Sequence, residues 1–230
     1  MSNSELTKED NLEIVQTSEG IHTIYNKQVD EHYHSMQGSL QDNMHVFIKN
    51  GLLTVNKNLP EIKILEMGFG TGLNAILTYR ENYVLQKHIH YTTVEAFPLH
   101  ASITNKLNYF EYFGKPLQPF FQKMHACNWF ENIAFGDFVL HKIKSDMLEL
   151  QLDGGYDLIY YDAFSPIHQP ELWTFEVLHK IYDVCNRGAI LVTSCTKGDV
   201  KNTLAKVGFK VELLQGPKGN SEMIKAVKNI

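Results

Sequence analysis

The stretch LEMGFGTGLN at residues 65–74 places three glycines, Gly68, Gly70 and Gly72, between two apolar runs. The run before it reads Ile-Lys-Ile, and the run after it reads Ala-Ile-Leu. Glycine adopts backbone conformations that side chains disfavour, so this spacing is typical of a tight turn between a strand and a helix. Because such a turn lets the backbone approach a ligand closely, we expect a binding site at this point.

Segments typical of strands and helices alternate along the chain after Pro60. Apolar and β-branched runs indicate strands at 62–67, 90–96, 137–143, 156–164, 188–194, 209–214 and 222–228, and apolar spacing indicates helices at 72–85, 99–109, 170–185 and 197–208. The aromatic-rich stretch 110–135, broken by two prolines, is expected to be an irregular helical excursion near the ligand crevice. We therefore predict an α/β, Rossmann-like fold with a mostly parallel seven-stranded sheet and helices on both faces.

The residues before Pro60 are expected to form a small extension of this core. Residues 12–17 and 21–26 are rich in Ile, Val and Thr on either side of a Ser-Glu-Gly turn, which indicates a β-hairpin. Apolar residues at helical spacing in 38–53 indicate a helix. We divide the chain into an N-terminal hairpin and helix extension, 1–58, and a core domain, 59–230.

Composition and charge exclude several classes of protein. With 230 residues, 43% of them hydrophobic and 20% charged, the chain suits one soluble globular unit. No apolar run is long enough to span a membrane, and the polar, acidic start lacks the features of a secretory signal, so we expect a cytoplasmic location. The net charge of −5 argues against a general nucleic-acid binder. The residues from Gly188 onward, however, include seven lysines and three acidic residues, and their net charge of +4 suits an anionic partner.

Neither a metal site nor a disulfide framework is expected. The pairs His32-x-His34 and His88-x-His90 have no third or fourth ligand at metal-binding spacing. The three cysteines lie far apart and form no CxxC pair, which indicates reduced thiols.

The spacing GxGxG narrows the choice of ligand. A dinucleotide fingerprint, GxGxxG, needs its third glycine at the position of Leu73, and a P-loop needs a GK[ST] sequence that does not follow this turn. S-adenosylmethionine carries no phosphate, so it needs only close backbone approach and an acidic residue for its ribose hydroxyls. We predict an S-adenosylmethionine site and keep a nicotinamide-dependent oxidoreductase as the alternative from another class.

Acidic residues at strand ends complete the predicted cofactor site. Glu95 ends the second strand, where a carboxylate can accept hydrogen bonds from both ribose hydroxyls. Glu66 is expected to act through water or to hold the glycine loop. Asp146 precedes an expected short helix, where it can cap that helix or face the adenine, with Met147 packing on the ring. The full predicted set is Glu66, Gly68, Gly70, Gly72, Asn74, Glu95, Asp146, Met147 and Asp162.

A second informative stretch, YYDAFSPIHQPELWT, occupies residues 160–174. Asp162 ends an apolar strand, where an unpaired carboxylate is costly unless a ligand or partner meets it. We predict that Asp162 contacts the cofactor's amino group, orients a substrate amine or accepts its proton; capping of the loop is the structural alternative. Phe164 and Pro166 are candidate substrate contacts, with Trp173 as a further aromatic of the loop.

Four motifs together resemble the methyltransferase domain of the MnmC type. They are LEMGFGTGLN, TTVEAFPL at 92–99, SDMLEL at 145–150 and YYDAFSPIHQPELWT, and the resemblance extends over about residues 25–228. It implies a class I methyltransferase that uses S-adenosylmethionine. It also implies a tRNA substrate, with methylation of the 5-aminomethyl group of the wobble uridine.

The resemblance carries further expectations about partners. Bifunctional members of that family add a flavin-dependent oxidoreductase; we expect no FAD in these 230 residues, and a separate FAD-dependent enzyme acting upstream. The basic pair usual in the family's late segment is replaced by Asn220-Ser221. The candidates for tRNA phosphate contacts are Lys197, Lys201 and Lys218. A methyltransferase acting on another small-molecule or protein amine stays open as the alternative, and the sequence carries no indication of oligomeric state.

Overall fold

The computed structural model describes residues 9–197, 199–217 and 222–229, and two β-sheets organise them. The smaller sheet is antiparallel and contains β1 (Leu12–Gln16), β2 (His22–Asn26) and β3 (Glu31–His32). The predicted N-terminal hairpin is therefore present, and a short third strand extends it.

The larger sheet has eight strands in the order β10-β11-β9-β8-β4-β5-β7-β6. Its strands are β4 (Glu61–Met67), β5 (His88–Glu95), β6 (Asn132–Phe135), β7 (Phe138–Lys144), β8 (Tyr156–Tyr161), β9 (Cys185–Thr193), β10 (Phe209–Gln215) and β11 (Glu222–Lys228). The five central strands, β9, β8, β4, β5 and β7, pair in parallel, whereas β6 and β11 run antiparallel to their neighbours. The predicted α/β fold with a mostly parallel sheet is confirmed.

The predicted count of seven strands was one short, because β6 lies inside the stretch 110–135 that was expected to be a helical excursion. This edge strand has only four residues and pairs with β7 across a turn at Gly136. Four half-exposed residues carry too little periodicity to distinguish a strand from a loop, so the pairing with β7 decides the conformation.

Seven α-helices connect the strands within the described ranges. They are α1 (Ser39–Asn43), α2 (Leu73–Leu85), α3 (Ala101–Thr104), α4 (Tyr109–Phe113), α5 (Gln118–Ala126), α6 (Phe175–Val184) and α7 (Val200–Val207). The predicted helix 38–53 is divided, since α1 continues as a π-helical segment, Met44–Lys49, and ends in a 3-10 turn, Leu52–Thr54. The predicted helix 99–109 is likewise reduced to α3, with α4 beginning at Tyr109.

The helix predicted at 170–185 begins later than expected. Pro170 starts a 3-10 turn, Pro170–Trp173, and Thr174 has extended backbone angles. The Thr174 hydroxyl then accepts a hydrogen bond from the Val177 N–H at 3.4 Å, which caps α6. A threonine cap thus sets the start of α6, later than the predicted range 170–185.

Alternate residues of the central strands face two separate apolar cores. Ile64 of β4 packs in one core with α2 and the N-terminal segment, whereas the adjacent Leu65 packs in the other with α6 and α7. Phe47 of the N-terminal segment meets Tyr160 of β8 edge-to-face, with ring centroids 5.2 Å apart. Helices therefore cover both faces of the sheet, as the apolar strands predicted. No helix in the described ranges is long and apolar enough to cross a membrane.

Candidate active site

A cavity of about 570 Å³ lies at the carboxyl ends of the five parallel strands. The segments that follow these strands all contribute to its wall, namely 67–70, 94–97, 145–147, 162–165 and 194–197. Residues of β3, of the segment after it and of α1 line another side. The cavity has the size of a small-molecule site and occupies the position where open α/β sheets bind ligands.

The glycine turn is packed too closely for side chains. Gly68 has φ +92°, and a Cβ at this position would lie 2.7 Å from the carbonyl oxygen of Asp162. Gly70 also lines the cavity, and the ring of Tyr33 lies against it. Gly72 was predicted to contact the cofactor, but it does not line the cavity; it precedes α2 with φ +75° and packs against Met124. Its role in the structure is to start the helix.

Glu95 ties the glycine turn to the loop that follows β5. One carboxylate oxygen accepts the N–H of Gly70 at 2.9 Å, and the other accepts the N–H of Phe97 at 2.9 Å. Burial raises the pKa of this carboxyl, while the bonds from the backbone lower it. Glu95 also lines the cavity, beside the backbone that it holds.

Asp146 and Met147 both line the cavity after β7, but the helix expected there does not form. The Asp146 carboxylate accepts the N–H of Leu148 at 2.9 Å, and its carbonyl oxygen accepts the N–H of Glu149 at 3.2 Å. These bonds close a single turn at the mouth of the cavity. The capping role predicted for Asp146 is therefore present, on a turn in place of a helix.

Asp162 brings an acidic group from the end of β8 into the cavity. Its N–H donates to the carbonyl of Met67 at 3.0 Å, which continues the pairing of β8 with β4. Its Oδ2 accepts a hydrogen bond from Nδ2 of Asn74 at 2.8 Å. Burial raises the pKa of Asp162 to about 7, and the bond from Asn74 opposes that rise. Asp162 can therefore both accept and release a proton near neutral pH.

Glu66 was predicted to act on the cofactor through water or to hold the glycine loop, and its side chain does not line the cavity. It lies below Asp162 inside the sheet, with only 1% of its surface exposed. Burial, together with the charge of Asp162, raises its pKa to about 8. Its Oε2 has no hydrogen-bond partner among the described residues. Since two neighbouring buried carboxylates repel each other, a protonated Glu66 leaves the negative charge to Asp162.

Comparison with known proteins identifies the family. A family model described as S-adenosyl-L-methionine-dependent methyltransferase matches residues 109–229, more than half of the chain. The chain belongs to this family. S-adenosylmethionine is accordingly the cofactor of this methyltransferase, and the cavity fits it, because the turn at Gly68 and Gly70 exposes backbone beside the carboxylate of Glu95.

The methyltransferase is similar to part of several bifunctional proteins named for tRNA 5-methylaminomethyl-2-thiouridine biosynthesis, MnmC. It is 31% identical to that of Leptospira interrogans serovar copenhageni over 217 residues, covering 88% of this chain and 33% of the relative. It is 30% identical to that of Cupriavidus necator over 233 residues, covering 92% of this chain and 33% of the relative. The chain thus spans about a third of the length of these curated relatives.

Among solved structures, the crystal structure of MNMC2 from Aquifex aeolicus matches the methyltransferase with a TM-score of 0.75 at 22% sequence identity. The match covers 94% of this chain and 70% of that chain. It supports the α/β architecture with the N-terminal extension included. With the relatives above, it confirms the predicted resemblance to the MnmC-type methyltransferase domain.

The loop after Asp162 places one predicted aromatic in the methyltransferase cavity and another in the core. Phe164 lines the cavity and meets Tyr33 edge-to-face, with ring centroids 5.2 Å apart. Trp173 is buried, and its indole N–H donates to the carbonyl oxygen of Phe164 at 2.8 Å. Trp173 therefore anchors the loop. Pro166, predicted as a substrate contact, does not line the cavity.

Two of the three predicted phosphate-binding lysines lie among the described residues of the methyltransferase, and they differ in position. Lys197 is exposed at the wall of the cavity, after β9. Lys201 is exposed on α7 and does not line the cavity. Lys218 and the pair Asn220-Ser221 lie outside the described residues.

Several residues of the site were not found by sequence reasoning. His34, one of the histidines set aside, lies half-buried between the hydroxyls of Thr23 at 3.1 Å and Thr71 at 3.5 Å, and desolvation lowers its pKa to about 4. It is therefore neutral and connects the N-terminal sheet to the glycine turn. Asn43 is hydrogen-bonded to Asn74. No group of three or more potential metal ligands occurs in the part of the chain that is described.

The buried carboxyl of Glu66 predicts a pH-dependent stability. The folded state favours protonated Glu66, so its stabilising contribution is complete below pH 4.5 and is lost as the pH rises through about 8. We expect the free energy of unfolding to fall between about pH 5 and pH 8. Glu66→Gln, which mimics the protonated form, should flatten that slope in urea denaturation series.

Glu61→Gln, on the partly exposed first residue of the same strand, is the matched control and should leave the slope unchanged. The assignment is wrong if the Glu66→Gln protein loses stability with pH as steeply as the wild type.

Proposed function

We propose that this methyltransferase methylates the 5-aminomethyl group of the wobble uridine, U34, of tRNA, giving 5-methylaminomethyl(-2-thio)uridine. The observation that carries the proposal is the Asp162 carboxyl, which lines the cavity and has a pKa raised to about 7 by burial. The biosynthetic product in the names of the MnmC relatives supports this substrate. A tRNA substrate also implies a cytoplasmic location.

The residues that would hold the cofactor lie on three neighbouring strand ends. Gly68 and Gly70 allow close backbone approach, and Glu95 offers acceptors for the ribose hydroxyls. Asp146 would face the edge of the adenine, and Met147 would pack on the face of its ring. S-adenosylmethionine supplies an electrophilic methyl group on its sulfonium when bound. A cofactor held by these residues would lie in the cavity that Asp162 also lines.

Asp162 would handle the proton of the substrate amine. A primary alkylamine is mostly protonated at neutral pH, and only its neutral form is nucleophilic. A carboxylate in the cavity can pair with the ammonium group, orient it and then take its proton. Because Oδ2 is held by Asn74, the other oxygen of Asp162 is the one directed to this task. Phe164 would pack against the base and limit its orientations.

The charge of the cavity wall supports an amine substrate and also motivates a second candidate. Among the described lining residues, Lys197 is the only lysine, and the carboxylates are Glu31, Asp42, Glu95, Asp146, Asp162 and Glu171. This excess of negative charge favours a cationic amine of any origin. Methylation of a small-molecule or protein amine is therefore the alternative to tRNA.

The test is incubation of the purified protein with methyl-labelled S-adenosylmethionine and tRNA that carries 5-aminomethyluridine, followed by nucleoside mass spectrometry. We expect one added methyl group at the wobble uridine and none on tRNA without the aminomethyl group. Polyamines and lysine-containing peptides are assayed in parallel. Transfer to one of these, with none to tRNA, would replace the tRNA proposal by the alternative.

A further inference from the structure

A chain of two asparagine amides joins the N-terminal extension to Asp162. Nδ2 of Asn43, at the end of α1, donates to Oδ1 of Asn74 at 2.8 Å. Nδ2 of Asn74, in the first turn of α2, donates in turn to Oδ2 of Asp162 at 2.8 Å. Asn43 is 6% exposed and Asn74 is 2% exposed, so water has little access to this relay.

When Asp162 is ionised, the chemistry of the groups allows one direction for the relay. An ionised carboxylate only accepts hydrogen bonds, so Asn74 must turn its NH₂ group to Asp162. Its carbonyl oxygen then points to Asn43, which must present its own NH₂ group. Without that donor, the buried oxygen of Asn74 would lack a partner, and the cost of that loss favours rotation of the amide away from this orientation.

We propose that Asn43 is a positioning residue for Asp162: it holds the Asn74 amide in the orientation that donates to Oδ2 of Asp162 and leaves Oδ1 for the substrate. The role given to Asp162 rests on the proposed function, whereas the orientation of the relay does not. In consequence, the N-terminal extension takes part in tuning the group that receives the proton.

Other titratable groups also surround Asp162. Glu66 of β4 and Tyr91 of β5 lie beneath it, and Asp42 of α1 lines the same cavity. Farther along the cavity wall are Glu31, Glu95, His168 and Lys197. None of them is changed in the variants below, so a difference from wild type reports on the relay.

The test is a titration of the Asp162 carboxyl by NMR in protein labelled with ¹³C-aspartate, with the signal assigned by its loss in Asp162→Asn. In Asn43→Asp, two carboxyls face one amide, and one of them must be protonated because the amide offers a donor on one side only. We expect the titration midpoint of the Asp162 carboxyl to rise by about one pH unit or more in Asn43→Asp. The rise should be smaller in Asn43→Leu, which only removes the hydrogen-bond donor.

The matched control is Asn108→Leu. Asn108 is also a buried asparagine; its Oδ1 accepts the N–H of His22, its Nδ2 donates to the carbonyl oxygen of Gly20, and it does not line the cavity. Its substitution should leave the Asp162 midpoint unchanged. If Asn43→Leu and Asn43→Asp both fold, by circular dichroism, and both titrate as the wild type does, Asn43 does not position Asp162.

The titration needs no methyl acceptor, so its outcome is independent of the substrate. Absence of methylation by the wild type would contradict the proposed function and leave the titration result intact. With an accepted substrate, the acid limb of the kcat/KM profile should move to higher pH in the Asn43 variants. A merely structural role would lower activity at every pH without moving that limb.

Discussion

Asp162→Asn is expected to lower kcat/KM for methyl transfer by about 100-fold to 10,000-fold, the usual range for loss of a general base. The amide has nearly the size of the carboxyl, so the pairing of β8 with β4 through the Asp162 N–H is kept. What is lost is the negative charge that pairs with an ammonium group and the ability to take its proton. The measurement is initial rates on the accepted amine, with folding checked by circular dichroism.

Asp157→Asn provides the control on the same strand. Asp157 lies near the opposite end of β8, where its carboxylate accepts the N–H of Lys63 at 3.0 Å and Nδ2 of Asn186 at 2.7 Å. This substitution also removes one charge from the strand, but it lies outside the cavity and should leave kcat/KM within about threefold of wild type. Activity of Asp162→Asn close to that of Asp157→Asn would exclude Asp162 as the proton acceptor.

Gly68→Ala is expected to weaken S-adenosylmethionine binding by more than about tenfold and to destabilise the fold. The new Cβ would lie 2.7 Å from the carbonyl oxygen of Asp162. This contact is with backbone, which cannot move aside as the end of a flexible side chain can. The glycine turn must therefore shift away from β8, and its backbone leaves the cavity wall. Calorimetric Kd values and thermal unfolding measure the two effects.

Gly136→Ala separates backbone strain from this collision. Gly136 also has a positive φ, +62°, but no atom lies within 4 Å of the position of its Cβ. This variant should show only the conformational cost of about 1–2 kcal/mol, with cofactor affinity unchanged. Equal losses of cofactor affinity in the two variants would refute the assignment of the glycine turn to the cofactor site.

The glycine turn shows which part of the site can be predicted from neighbouring residues in the sequence. The three glycines, the apolar strand before them and the acidic residues at strand ends are read directly from neighbouring positions in the sequence. Parallel strands align their carboxyl ends, so Glu95 and Asp162 were predicted to meet at one edge of the sheet, and both line the cavity. Gly72, predicted as part of the cofactor set, packs against Met124 of α5, a neighbour that the strand and the turn do not reveal.

The chain by itself determined the α/β alternation, the glycine turn and the residues at the strand ends, because periodicity and turn chemistry depend on a few adjacent residues. Tertiary structure alone decided that β6 pairs at the edge of the sheet, that Glu66 is sealed beneath the cavity and that Asn43 reaches Asn74 across 31 positions of the chain. Burial and the direction of a hydrogen bond depend on which distant segments are packed together. Local sequence patterns carry no information about that packing.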